Sequence, residues 1–216
     1  MEAIKVVVYY TLNTRELSPN VEKKYISKLT PELQIVNHRY RFWKDRNAHL
    51  FGKLLLLEGL KEYDKSGKLN LSHLNYSPNG KPYFESDINF NISHSGNYVL
   101  CAIGKKINVG VDIEEIKPIQ FKDFKNIMSQ QQWFLIRNAE NSTKRFFDFW
   151  VIKESVVKAA GDGLTSGLDK IWIDYSFAEY NNKKWNLNLF QIDENYSSCI
   201  ATDFFEVAFE LKKICF

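Results

Sequence analysis

The hydrophobic period of this chain changes in the same order twice, and that order limits the folds open to it. Residues 4–10 are rich in β-branched and aromatic side chains and read as a buried strand. From Thr30-Pro31-Glu32 to about Tyr63, apolar positions such as Phe42, Leu50, Leu54, Leu57 and Leu60 follow a Thr-Pro start, which predicts two consecutive helices. Residues 90–93 and 98–103 return to the strand pattern, joined as a hairpin through His94-Ser95-Gly96-Asn97, and 76–83 carry the Pro, Asn and Gly chemistry of a loop. The cycle then repeats. A strand over 107–113 leads to helices over 120–138 and 144–160, the second ended by Gly161, and strands follow at 171–173, 187–189 and 205–209. This order predicts an α+β fold of two similar halves, residues 1–105 and 106–216. No sequence repeat or flexible linker separates them, so the repetition is topological.

Bulk properties narrow the partners. With 216 residues, 44% hydrophobic and 15% aromatic, the chain has ample material for a core. A net charge of +3 gives no strong polyelectrolyte field, which argues against nucleic acid and leaves an acidic protein surface or a phosphorylated small molecule. Cys101, Cys199 and Cys215 are odd in number and lack C-x-x-C spacing, so neither a disulfide framework nor a zinc cluster is expected. Met1-Glu2-Ala3-Ile4-Lys5 does not open a leader, and no run approaches the roughly 20 apolar residues of a membrane helix. The expectation is a soluble, unprocessed cytoplasmic protein.

Three separated blocks carry the chemistry: Asn91-Ile92-Ser93-His94-Ser95, Gly110-Val111-Asp112-Ile113-Glu114 and Trp150-Val151-Ile152-Lys153-Glu154, with Lys158 one turn later. On a strand, side chains alternate, so Asp112 and Glu114 share one face while Val111 and Ile113 turn to the core. Two adjacent carboxylates repel, and a divalent cation relieves the repulsion; hard oxygens left incomplete by the protein suit magnesium. Alone, the pair also fits a solvated strand end. Trp150, Glu154 and Lys158 recur at four-residue spacing on one helical face, beside the apolar Phe147 and Val151. There Glu154 can supply a third oxygen or accept a proton, and Lys158 a charge for phosphate. An ordinary i,i+4 surface pair is the plain alternative. His94, in a turn between serines, can donate to a phosphate oxygen or be a satisfied turn histidine. Lys81 follows Gly80, whose lack of a Cβ permits close ligand approach.

Gly80-Lys81-Pro82, Phe90-Asn91-Ile92-Ser93-His94-Ser95, Gly110-Val111-Asp112-Ile113-Glu114 and Trp150-x-x-Lys153-Glu154-x-x-x-Lys158 resemble the 4'-phosphopantetheinyl transferases of the surfactin-synthetase-activating type. The motifs span residues 80–158 in the expected order. The resemblance implies a pseudo-twofold monomer with coenzyme A and magnesium in the cleft between its halves. It implies that Asp112, Glu114 and Glu154 hold Mg2+, that Lys81, Ser93, His94, Asp112 and Lys158 bind coenzyme A, and that Glu154 and Lys158 are catalytic. The implied reaction moves the 4'-phosphopantetheine arm of coenzyme A to a serine of an apo acyl, peptidyl or polyketide carrier protein, releasing adenosine 3',5'-bisphosphate.

Two features depart from that resemblance or fall outside it. Ala48-His49 is followed by Leu50-Phe51 where the family commonly has a cation and a small hydroxyl, which leaves the 3'-phosphate contacts open. His38, Arg39, Arg41, Lys44 and Arg46 offer an alternative source of charge, or a solvated helix face. Ile116 to Met128, with Phe121 and Phe124, follows the Asp-x-Glu strand as carrier anchors or as core. A catalytically silent coenzyme A or carrier-binding module, and another magnesium-dependent phosphoryl enzyme, are the competing readings; intact motif carboxylates and Lys158 weigh against the first.

Overall fold

The computed structural model describes residues 4–163, 167–174 and 176–216. Met1 to Ala3, part of the stretch read as lacking a leader, lie outside the described residues.

The opening strand β1 (Ile4–Leu12) is apolar from Val6 to Tyr10 because both faces of that stretch are covered. Val7 and Tyr9 pack with one apolar cluster, Val6 and Val8 with another, and all four are buried. Three helices follow: α1 (Pro19–Ile26), α2 (Pro31–Arg39) and α3 (Trp43–Tyr63). The Thr-Pro start of α2 is as read, with Thr30 accepting from the backbone of Leu33, whereas α1 carries no such side-chain cap. The loop at 76–83 closes as a small ladder of β2 (Asn75–Tyr76) and β3 (Pro82–Tyr83), with Gly80 at φ +79° in its turn. The hairpin β4 (Ile88–Ser95) and β5 (Tyr98–Lys105) completes the first half, and β6 (Val109–Glu115) begins the second.

The helix expected over 120–138 is two pieces. A 3-10 turn at Phe121–Phe124 is followed by α4 (Gln130–Arg137), because Ser129, extended at ψ 164°, makes a capping box with Gln132 and restarts the helix. Phe121 and Phe124 pack on Phe146, and Phe124 also on Trp150, as core rather than as free anchors. Helix α5 (Ser142–Ala160) begins at the Asn141 cap and ends at Gly161, φ +84°. The remaining strands are β7 (Trp172–Ile173), β8 (Phe177–Tyr180), β9 (Lys183–Phe190), β10 (Tyr196–Thr202) and β11 (Val207–Lys213).

Two main sheets result, β11-β1-β5-β4 and β6-β10-β9-β8-β7. Helix α3 lies on the first, α5 on the second, and the two sheets bury Leu100 and Ala102 against Val111, Ile113 and Ile200. The layers run helix, sheet, sheet, helix, an α+β fold of two halves. The last strand crosses over: β11 pairs parallel with β1, so the end of the chain completes the sheet of the first half. Cys101 and Cys199 are buried free thiols and Cys215 an exposed one. No helix among the described residues is long and apolar enough to cross a membrane.

Candidate active site

The site forms where β4, β6 and α5 meet. Gly110 permits the approach of the last two. A Cβ at Gly110 would collide with the Ser155 carbonyl oxygen and the Ala159 nitrogen, so only glycine lets α5 lie this close to β6. On the other side, Asn91 accepts from the Val111 backbone N–H at 3.0 Å and ties β4 to β6. Alternation along β4 then aims Ser93 and Ser95 at the carboxylates of β6.

Asp112 is 2% exposed. Its Oδ1 accepts from Ser93 Oγ at 2.7 Å and from Lys158 Nζ at 2.6 Å, and the ammonium reaches Ser93 Oγ at 3.2 Å. Its Oδ2 is buried with no hydrogen-bond partner among the described residues. A buried carboxylate oxygen left without a donor is costly, and a cation is the partner that would satisfy it. Glu114, two residues on, accepts from Ser95 Oγ at 2.8 Å, while burial and the Asp112 charge hold its carboxyl above the usual range. Glu154 projects from α5 at 8% exposure, and burial, then Asp112 and Glu114 against the opposing Lys158, push it up to about 7. Three carboxylates thus lie within electrostatic reach of one another, with the Lys158 ammonium ion-paired to Asp112.

Among the described residues, no group of three or more His, Cys, Asp or Glu side chains is placed to hold a metal ion. The ligand triplet expected from the sequence therefore shares a surface without closing on one point. Lys158 takes one oxygen of Asp112 and Ser95 one of Glu114, so these oxygens are already engaged. The donor set still fits a hard divalent cation, because its oxygens are anionic, crowded and incompletely neutralised, with Asp112 Oδ2 unsatisfied.

Lys158 also lines a cleft of about 410 Å³ whose other walls include Asn79, Gly80, Lys81, Asn91 and the Gly161–Gly163 turn. Lys81 reaches across to donate to the Ala159 carbonyl at 3.1 Å, at the C-terminal end of α5 where a cation is favoured. Burial lowers its ammonium to about 8, against the opposing pull of Asp162 and Asp203. Asn79 ties the same loop to the Gly161 carbonyl at 3.2 Å. Lys81 and Lys158 thus share one cleft. His94 points to the opposite face of β4, against α3, and does not line this cleft. Lys153 is fully buried and donates to the Leu168 and Ile171 carbonyls at 2.7 and 3.3 Å, away from the carboxylates, as its angle from Glu154 around the helix predicts. The roles of Asn91, Ser95 and Gly110 in holding the carboxylates were missed from sequence, although period-two spacing with Ser93 marks Asn91 and Ser95.

Comparison with known proteins bears on this arrangement. Residues 108–205 match the family model described as the 4'-phosphopantetheinyl transferase superfamily, and residues 19–106 match the 4'-phosphopantetheinyl transferase N-terminal model. The chain is 34% identical over 165 residues to the 4'-phosphopantetheinyl transferase gsp of Aneurinibacillus migulanus, an overlap covering 74% of this chain and 67% of that protein. It is 30% identical over 168 residues to the 4'-phosphopantetheinyl transferase Sfp of Bacillus subtilis (strain 168), covering 75% and 73%. It is 28% identical over 172 residues to the L-aminoadipate-semialdehyde dehydrogenase-phosphopantetheinyl transferase of Rattus norvegicus, covering 70% and 54%.

Proposed function

Because this chain belongs to the 4'-phosphopantetheinyl transferase superfamily and transfers the phosphopantetheine arm of coenzyme A to carrier proteins, we propose that the carboxylates and lysine between β6 and α5 are its catalytic centre. The observation that supports this reading most is the Ser93, Asp112 and Lys158 cluster. It stands beside Glu114 and Glu154 at the edge of a cleft large enough for part of a nucleotide.

In this reading the serine Oγ of the carrier attacks the phosphorus on the pantetheine side of the coenzyme A pyrophosphate, and adenosine 3',5'-bisphosphate leaves. Glu154 accepts the serine proton. Its carboxyl, raised to about 7, is close to the proton affinity a general base needs at neutral pH. Lys158 stabilises the charge that builds on the departing phosphate, and Ser93 holds Asp112 and Lys158 in register. Lys81, half-buried in the cleft wall, adds positive charge for the coenzyme A phosphates. Asp112, Glu114 and Glu154 would hold magnesium, which when bound neutralises charge on the pyrophosphate. Proton uptake by Glu154 and charge stabilisation by Lys158 are the contributions of this chain's own side chains. The enzyme is read as a cytoplasmic monomer whose partners are coenzyme A and apo acyl, peptidyl or polyketide carriers, with no part for nucleic acid.

Intact-mass analysis of apo carrier proteins incubated with this protein, coenzyme A and magnesium tests the reading. A gain of one phosphopantetheine on serine, abolished by chelator, is expected. Bound coenzyme A with no gain on any carrier would instead make the protein a silent binding module.

A further inference from the structure

Lys153 is the charged residue of the Trp150–Lys158 motif that the carboxylate cluster does not use. It is fully buried in the middle of α5, and its acceptors are two backbone carbonyls, Leu168 at 2.7 Å and Ile171 at 3.3 Å. These carbonyl dipoles and the attraction of Asp169 offset part of the cost of burying an ammonium. For stability alone the balance is close, because hydrocarbon of the same length removes the desolvation cost together with the two hydrogen bonds. What the ammonium adds is a fixed position for the groups it holds.

Those carbonyls lie in the stretch that follows the end of α5. The helix stops at Gly161, and Gly161, Asp162 and Gly163 form one wall of the cleft of about 410 Å³ that also holds Lys81 and Lys158. Gly163 stands at φ +82°, and Gly167, at φ +88°, starts a 3-10 turn at Leu168–Lys170 that leads into β7. Backbone built on glycine has more conformations to lose than other backbone, so this wall needs restraint from outside. Asn79 donates to the Gly161 carbonyl at 3.2 Å from the first half, and Asn181 Nδ2 donates to Asp162 Oδ2 at 2.6 Å from the turn between β8 and β9. Tyr180 closes on Gly167, where its hydroxyl occupies the space of a Cβ. Lys153 fixes the far end by gripping two carbonyls three residues apart, which suits an ammonium with three donors on a long stem. Leu168 follows Gly163 by five residues, so holding one restrains the other.

We propose that Lys153 is a positioning residue for the cleft: it anchors the chain after α5 and so holds the Gly161–Gly163 wall in the shape that receives coenzyme A. A ligand that meets a wall already in place does not lose binding free energy to ordering it. Lys153 thus acts on coenzyme A affinity through the backbone, while its own side chain faces away from the carboxylates. The inference rests on the coenzyme A reading of the cleft.

Transfer kinetics on an apo carrier protein, with calorimetric titration of coenzyme A, test it in wild-type, Lys153→Met, Lys153→Arg, Asn181→Asp and Lys81→Met protein. Methionine keeps the stem and removes every donor, whereas arginine keeps both charge and donors. Asn181→Asp sets a second carboxylate against Asp162 at an exposed point of the same wall. Lys153→Met is expected to raise both Kd and KM for coenzyme A by about 10-fold, the scale of ordering a few residues on binding, with kcat within about 2-fold of wild type. Its thermal midpoint should stay within a few degrees of wild type. Lys153→Arg should recover part of the affinity, and Asn181→Asp should weaken it in the same way as Lys153→Met. Unchanged affinity in Lys153→Met or in Asn181→Asp, or a loss confined to kcat, overturns the anchoring role. Loss of the folded state in Lys153→Met makes Lys153 a structural residue and overturns it as well. Lys81→Met separates this inference from the reading beneath it. If Lys81→Met weakens coenzyme A binding and Lys153→Met does not, only the anchor falls; if neither does, the cleft is not the coenzyme A site and both fall.

Discussion

Lys158 Nζ lies 2.6 Å from Oδ1 of Asp112, while the buried Oδ2 of the same carboxylate has no hydrogen-bond partner among the described residues. The pair joins α5 to β6 and leaves half of Asp112's charge unanswered. Replacing Asp112 with Ala removes the unsatisfied oxygen and the acceptor shared by Ser93 and Lys158. Phosphopantetheine transfer should fall by at least about 100-fold, the scale on which charge-stabilising groups act. Near-normal turnover in a folded Asp112→Ala protein would remove the carboxylates from the chemistry.

Glu154 couples the site to pH. Its folded-state carboxyl is raised from 4.5 to about 7, so the folded chain holds a proton that the unfolded chain releases. Stability from this group is present in full below about 4.5 and is lost as pH rises towards 7, by about 3 kcal/mol from the 1.36 kcal/mol per pH unit of linkage. Other groups titrate too: Lys81 and Lys153, both lowered to about 8, add stability as pH rises above that value. The difference between wild type and Glu154→Gln isolates the carboxylate. Metal-free Glu154→Gln should gain on wild type between pH 5 and pH 8 in urea melts, and magnesium should shrink the gap. A difference that is flat with pH would mean that Glu154 is an ordinary carboxylate.

The motif carboxylates were legible because strand and helix periods alone place Asp112 beside Glu114 and Glu154 one turn before Lys158. Other parts were not. β10 was missed because Ser197 and Ser198 interrupt its apolar pattern, and both are buried only through tertiary partners, Asp148 and the Phe190 carbonyl. β11 has an ordinary strand pattern, yet nothing local says that it pairs with β1 across the molecule. Lys53 sits within the apolar run of α3, where a lone lysine reads as a surface residue; its burial is visible only once β4 is in place.

His94 is a separable test of ligand binding. Its ring lines the α3 cavity and makes no hydrogen bond to the rest of the protein among the described residues, so its removal costs little stability. His94→Ala should raise the coenzyme A dissociation constant by about 10-fold, the loss of one hydrogen bond to a charged group. The thermal midpoint should stay within a few degrees of wild type. Unchanged affinity would make the histidine structural.

Gly110 tests whether the close approach of β6 and α5 makes the site. A methyl group there would meet the Ser155 carbonyl and the Ala159 nitrogen, both backbone atoms of a helix that is itself packed on β10. Backbone cannot swing aside as a side chain can, so relief requires α5 to move away from β6. That motion separates Lys158 and Glu154 from Asp112 and Glu114, and it also opens the Val156 and Val157 contacts beneath. Gly110→Ala should therefore lose stability by about 3 kcal/mol, the upper part of the usual overpacking range. Its transfer rate should fall even at temperatures where it remains folded. Alanine at Gly80, where a new Cβ meets nothing within 4 Å, is the control: its cost comes from φ +79° alone, about 1 kcal/mol, and the carboxylates stay in place. If Gly110→Ala keeps full activity while folded, the catalytic groups do not depend on the spacing of these two elements.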